Sequence, residues 1–425
     1  MKVIKGIILS IIFFVQMGLF AGQESKGSLV IIGGALSPDN KAVYNRFIEL
    51  GGGKENIRIA VIPAAGEKPV QSGQACVRDF IRHGIPESHI KVFPLAVKDD
   101  PSTPEVNEAQ WAKNGSNKVL AAEILQYGAV FFVGGDQARY RETLMDAEGG
   151  DLPLLSSIRE IYRKGGVISG TSAGAAIMSD PMIIGGSAPE AITSGVCFQE
   201  FPLGPEPEKK VWLTKGFGFF DRGIIDQHFL KRGRTGRLIT TLLYCRKQKK
   251  YSIGFGVDED TAIVYKDHTI EVIGRSGLLI IDTSGAVVEE TKYGPKAKNI
   301  ILHYLASGDS LNLETWAFHI AAGRKIVKKG DEYYETYPLD TNIFGKDAIK
   351  DILTAGLIDN RRDVSEGLSF TLDEEGNGIG MRLIFKKTGK TLGYYGKVNG
   401  KETYSALHVA LECFPVTVRV TPVTK

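Results

Sequence analysis

At 425 residues, 43% hydrophobic and 24% charged, the chain can bury a large core and has room for two or three domains, which excludes a solvated tail or a disordered scaffold. Lys plus Arg exceeds Asp plus Glu by only 52 to 49 and no long basic run occurs, so a nucleic-acid partner is not expected and any cationic site must be local. Four cysteines (Cys76, Cys197, Cys245, Cys413) are too widely spaced for a zinc pattern and dictate no disulfide pairing.

The chain opens with Lys2 and Lys5 before an apolar run from Gly6 to Ala21, short for a bilayer span, which reads as a signal peptide over residues 1–22. A retained anchor is the alternative. The expected location is therefore secreted, extracellular or periplasmic, with no membrane attachment once the signal is removed. From Ser28 to Ser172, β-branched runs (SLVIIGG, IRIAVIPAA, HIKVFPL, GAVFFVGG, GGVISGTS) alternate with amphipathic stretches such as NKAVYNRFIEL, GQACVRDFIRHG, SNKVLAAEILQ and PLLSSIREIYRKG. Strands apolar on both faces predict an α/β fold with a doubly wound, mainly parallel sheet sandwiched by helices. After Gly195, KGFGFFDRGIIDQHF reads as strand into loop, RTGRLITTLLYCRK as a helix, and YSIGFGVDEDTAIVYKDHTIEVIG as two strands turning near Lys266 and Asp267. The enzymatic domain is expected to span 27–329. A C-terminal accessory region over 330–425 is more charged and rich in turns from Gly367 to Gly400.

Within GGVISGTSAGAAIMS, Gly170 and Gly174 flank Ser172 in a G-x-S-x-G arrangement where strand gives way to helix. Such a turn needs small neighbours, and Gly170, Ala173, Gly174 and Ala175 supply them. The alternative is a glycine-rich turn with an ordinary helix-capping serine. As a nucleophile, Ser172 would be served by an oxyanion hole from the Ala173 N–H and a second donor, Gly135, in the turn Gly134-Gly135-Asp136-Gln137, with Gln137 a substrate-facing amide.

A serine hydroxyl needs a base, and His228, at a strand end in GIIDQHF, has polar company that His83, His89, His268, His303, His319 and His408 lack. Arg232, Arg234 and Arg237 follow within six residues. Guanidinium groups bind carboxylates in two-pronged fashion, so the cluster points to an anionic or carboxylate-rich substrate; the alternative is a solvated basic face at a helix start. Glu190 and the trio Asp258, Glu259 and Asp260 both remain open as the group that orients the base.

Taken together, IIGGA, IPAA, FFVGGDQ, GTSAGAA, DQHF-x2-R-x-R-x2-RL and GFGVDEDTA resemble cyanophycinase, in the serine peptidase family that also contains aspartyl dipeptidase, over Gly27 to Thr315. The resemblance implies a fold related to class I glutamine amidotransferases and metal-free, cofactor-free hydrolysis of β-aspartyl-arginine linkages to β-Asp-Arg dipeptides. It implies Ser172 as nucleophile, His228 as base, and the acidic residue eighteen positions after the serine, Glu190, as orienter. It also implies Gln137, Asp226, Gln227, Arg232, Arg234 and Arg237 as substrate-binding; by charge, Asp226 is expected to pair a substrate guanidinium and the arginines its carboxylates. The Pro-rich stretch FPLGPEPEKKVWLTKGFGF departs from the family pattern and is expected near the pocket. The expected partner is a peptide or cyanophycin-like polymer, and self-association as a homodimer is left open. An aspartyl or isoaspartyl peptidase on other substrates, or a secreted non-catalytic binding protein on the same fold, are the alternatives.

Overall fold

The computed structural model of the chain describes residues 27–186, 188–398 and 400–421, and for 188–190 the backbone alone. The expected signal peptide, residues 1–22, lies outside the described residues. In chain order the first half forms β1 (Ser28–Ile32), α1 (Lys41–Leu50), β2 (Ile59–Ile62), α2 (Pro69–Arg82), β3 (Ile90–Val92), α3 (Lys118–Ile124), β4 (Ala129–Phe132), α4 (Gln137–Leu144), α5 (Pro153–Arg163) and β5 (Val167–Thr171). The five strands are parallel, in the order β1-β5-β4-β2-β3. Every residue of β1, β2 and β4 is buried, as expected of strands covered on both faces.

Helix starts follow local chemistry. The Asn117 and Asp136 side chains accept backbone N–H groups at the starts of α3 and α4, while α2 and α5 begin on a proline whose missing N–H costs nothing there. α5 buries Leu154, Leu155, Ile158, Ile161 and Tyr162, one stripe at helical spacing, against the sheet. The expected mixed layers of helix and parallel strand are therefore present.

The second half continues with α6 (Ala173–Ala176), β6 (Met182–Gly185), α7 (Ala188–Ser194), β7 (Val196–Phe198), β8 (Val211–Thr214), β9 (Ile224–Asp226), α8 (Thr235–Lys247), β10 (Ile253–Val257), β11 (Thr261–Lys266), β12 (Thr269–Gly274), β13 (Gly277–Asp282), β14 (Val287–Thr291), β15 (Gly294–Ala306), β16 (Ser310–Asn312), β17 (Ala317–His319) and β18 (Arg324–Ile326). Then come α9 (Ala348–Leu353), β19 (Val364–Leu372), β20 (Asn377–Lys386), β21 (Leu392–Val398) and β22 (Lys401–Arg419). β11, β12, β16 and β17 extend the first sheet in antiparallel fashion beyond β1. A second sheet runs β18-β21-β22-β15-β13-β10-β9, with β19 and β20 joined to β22.

Two expectations change here. GFGVDEDTAIVYKDHTIEVIG holds three strands, β10, β11 and β12, because the chain leaves one sheet at Val257 and enters the other at Thr261. The region after 330 is not detached, since β22 pairs with β15 from Ala297 to Tyr304, and Leu383, Phe385, Val409 and Leu411 join the core of α8 and β13. Among the described residues no helix is long and apolar enough to cross a membrane. The four cysteines are free thiols.

Candidate active site

Ser172 sits between β5 and α6 at φ 54°, ψ −109°, a conformation that side-chain-bearing residues rarely adopt. Its neighbours have no room to be larger: a Cβ on Gly170 would lie 2.2 Å from the Gly174 carbonyl oxygen, and one on Gly174 would lie 2.4 Å from that of Phe132. The strained turn is thus built from the small residues around it. Ala173 opens α6, where an N–H has no partner within the helix, and Gly134 faces the serine, a Cβ there coming 3.2 Å from that of Ser172. Gly135, at φ 143°, lines the same cleft and is pressed onto the Ala65 carbonyl.

The Ser172 Oγ lies 2.8 Å from His228 Nε2, and His228 Nδ1 lies 2.7 Å from Glu259 Oε1. A carboxylate only accepts, so Nδ1 carries the proton and Nε2 is left to accept from the serine. Strand register explains the meeting. β9 and β10 are parallel with Asp226 beside Gly256, so the residues that follow each strand, His228 and Glu259, emerge side by side at the carboxyl end. His228 itself is at φ 49°, and its N–H donates to the Gly33 carbonyl at 2.6 Å. Gly34 must be glycine, since a Cβ would lie 2.3 Å from the imidazole ring.

Only the middle member of Asp258-Glu259-Asp260 reaches the base. Asp258 accepts the N–H groups of Leu230 and Lys231 at 3.1 Å each and the Ser276 hydroxyl at 2.6 Å. Asp260 accepts from Ser37 and Asn40 and pairs with Arg275 at 3.1 Å. The outer two pin the loop to opposite sides, and Glu259 is left to face His228.

Burial pulls the His228 pKa below its ordinary value; the bond to Glu259 opposes this, and the charges of Arg232 and Arg234 add to it. His228 is thereby biased toward its neutral form, the one that can take a proton. Around it opens a cleft of about 530 Å³ whose walls include Gly134, Gly135, Ser172, His228, Arg232, Tyr44 and one face of α2: Ser72, Ala75, Cys76 and Asp79. The Arg232 side chain is 53% exposed, with Nε 3.9 Å from Glu259. Among the described residues no group of three or more His, Cys, Asp and Glu side chains is arranged to hold a metal ion.

Comparison with known proteins places the chain in a family. No family model matches the chain. A cyanophycinase of Geminocystis herdmanii is 33% identical over 303 residues, covering 69% of this chain and 96% of that protein. The chain belongs to the cyanophycinase family. Cyanophycinases of Trichormus variabilis and Synechococcus elongatus are 28% identical over 298 residues and 29% identical over 300, covering 68% of this chain in each case and 87% and 80% of those proteins. A crystal structure of a peptidase from an acI-B1 Actinobacterium superposes with a TM-score of 0.42 at 22% identity, covering 60% of this chain and 91% of that one.

Of the positions that the cyanophycinase resemblance implied, Ser172 and His228 lie within hydrogen-bond distance of each other. Glu190 belongs to α7, and its side chain lies outside the described residues; the place on His228 Nδ1 is held by Glu259. The substrate-binding set divides. Arg232 lines the cleft, whereas the other five positions are engaged within the protein. Asp226, fully buried, is gripped through both oxygens by Arg237, with the Arg237 Nε at 2.8 Å. Arg237 also donates to the Gly186 carbonyl. The Arg234 Nη1 donates to the backbone carbonyl and to the Oε1 of Gln227, both at 2.7 Å. Burial, then the neighbouring Arg237, presses the Arg234 pKa down to about 9 against the pull of Asp226, which leaves it cationic at neutral pH. Asp226 is thus not free to pair a substrate guanidinium. The arginines at the start of α8 owe their place to Asp226 and Gln227, which offset the unfavourable helix dipole.

Gln137, capped by Asp136, starts α4 and donates to the Ile183 carbonyl at 2.8 Å, so its amide is not turned to the cleft. The stretch after Glu200 packs Phe201 on the Arg141 guanidinium at 4.9 Å and supplies none of the cleft walls. Gly33 and Gly34 were missed as site residues, although a strand ending in Gly-Gly signalled a close backbone approach. The α2 face was missed too, although Ser72, Ala75, Cys76 and Asp79 fall at helical spacing.

Proposed function

We propose that the chain is a serine-type peptidase that cleaves the polyaspartate backbone of cyanophycin through an acyl-enzyme, releasing β-Asp-Arg dipeptides with their β-aspartyl-arginine bond intact. The observation that carries this reading is the continuous relay Ser172–His228–Glu259 in a member of the cyanophycinase family. In the first step His228 Nε2 takes the Ser172 proton as Oγ attacks the backbone carbonyl that joins one aspartyl residue to the next. The imidazolium that forms is stabilised by Glu259, and it returns the proton to the leaving backbone nitrogen of the adjoining aspartyl residue. Water, deprotonated by the same nitrogen, then releases the acyl group. The Ala173 N–H and the Gly134-Gly135 turn line the place where the oxyanion develops. Arg232, exposed in the cleft, takes the substrate carboxylate. Asp79, the acidic residue among the cleft walls, takes the guanidinium in place of Asp226.

Lys2, Lys5 and the apolar run that follows support action outside the cytoplasm after removal of residues 1–22. Incubation of the purified chain with cyanophycin and with short α- and β-aspartyl peptides, with products identified by mass, tests the substrate. Release of β-Asp-Arg from the polymer is expected. Cleavage of short peptides alone would move the assignment to an aspartyl or isoaspartyl peptidase, and no product from any of them would leave a binding protein.

A further inference from the structure

The loop that follows the base is held from the far end of the chain. Lys231 Nζ lies 2.6 Å from Asp347 Oδ2, and the Asp347 N–H donates to the Leu230 carbonyl at 2.9 Å. Gly233, at φ 57°, lets the two backbones touch, since a Cβ there would lie 1.8 Å from the Phe344 carbonyl oxygen. Phe229 and Leu230 share one apolar core with Ile343, Phe344, Ile349 and Ile352. Asp347 adopts a left-handed conformation at φ 59° where the two segments meet, one that aspartate tolerates better than most side-chain-bearing residues. Residues 342–353 thus clasp residues 229–233, the stretch that follows the base and carries Arg232, the first of the three arginines.

We propose that this C-terminal segment is a positioning element for the base, with Asp347 and Lys231 as positioning residues that set His228 and Arg232 against Ser172 and the cleft. The proposal rests on reading Ser172 and His228 as nucleophile and base. The charges nearby explain why the clasp matters for chemistry and not only for folding. Burial pulls the Lys231 pKa down, but the bond to Asp347 and the charges of Asp347, Asp258 and Glu259 outweigh it. The Lys231 ammonium therefore feels the carboxylate that orients the base. With Asp347 neutralised, Lys231 is free to draw Glu259 away from His228 Nδ1. His228, faced also by Arg232 and Arg234, then loses the one contact that raises its pKa.

The test uses the full chain and its cleavable peptide substrate, with kcat, KM and the pH dependence of kcat/KM measured for D347N, K231M and the double variant, beside S172A and H228A. D347N is expected to lower kcat about tenfold with KM nearly kept, the scale of a misplaced catalytic group, and to move the acid limb to lower pH. The double variant, lacking the competing ammonium, is expected to return the limb to its wild-type position. K231M alone, which removes a partly exposed ammonium, is expected to lower kcat about threefold with the limb unmoved. If D347N and K231M keep kcat/KM within twofold while S172A and H228A are inactive, the clasp is overturned and the relay stands. Loss of kcat in D347N with an unmoved limb, or a lowered melting temperature with unchanged kcat, equally overturns it. Activity retained in S172A removes the reading beneath it instead.

Discussion

Glu259 and Glu190 make opposite predictions. With Glu259 on His228 Nδ1 at 2.7 Å, E259Q presents an amide in place of an acceptor-only group, frees the imidazole to take the wrong tautomer, and is expected to lower kcat by about a thousandfold or more. E190Q is expected to stay within twofold, and steady-state kinetics of the two variants separates them. The base also fixes a pH dependence. Only neutral His228 accepts the serine proton, so kcat/KM rises as pH rises through its pKa, and because that pKa is lowered the half-point falls below the ordinary histidine value of about 6.5. The Arg232 charge lowers the pKa, so R232A is expected to shift the limb upward, apart from any loss of substrate affinity. A limb above the ordinary histidine range in the wild type would contradict this assignment. The serine was legible from sequence because the small residues that shape its turn are its immediate neighbours. The acid was not, because the meeting of Glu259 with His228 depends on the register of two strands separated by α8.

At the scale of elements, the two sheets meet at the site. β5 delivers Ser172 from one, and β9 and β10 deliver His228 and Glu259 from the other. Asp226 and Arg237 join the end of β9 to the first turn of α8 in a fully desolvated pair. Removing one partner leaves the other charged and alone, so D226A is expected to destabilise the fold by about 3–5 kcal/mol in chemical denaturation. Were Asp226 instead a free substrate contact, D226A would raise KM and leave stability unchanged. The arginine cluster showed clearly in the sequence and its role did not, because Arg234 and Arg237 have protein acceptors supplied by tertiary packing. The parallel half was readable from runs apolar on both faces. β10, β11 and β12 were harder, since a change of sheet over three residues leaves no periodic mark.

For the whole molecule, residues after 330 complete the second sheet. β22 lies between β15 and β20, and burying Phe385, Val409 and Leu411 stabilises by about 1.5–3 kcal/mol per side chain. A chain ended at residue 329 strips β15 of β22, leaves it paired only with β13 and β14, and uncovers the core around α8, so it is expected to be insoluble or rapidly proteolysed. A folded, soluble truncation by circular dichroism and limited proteolysis would make the region a separable accessory. That region was legible as β-rich and turn-rich but not as part of the sheet, because Cys413 meets Ala297 across more than a hundred residues of intervening chain and nothing local records the pairing.

The central claim is that Ser172 is a nucleophile activated by His228. It is tested most directly by treating the intact protein with a fluorophosphonate and locating the adduct by peptide mass. One adduct on Ser172, absent in S172A and strongly slowed in H228A, is the predicted result. No adduct, or one elsewhere with turnover unaffected, would contradict it.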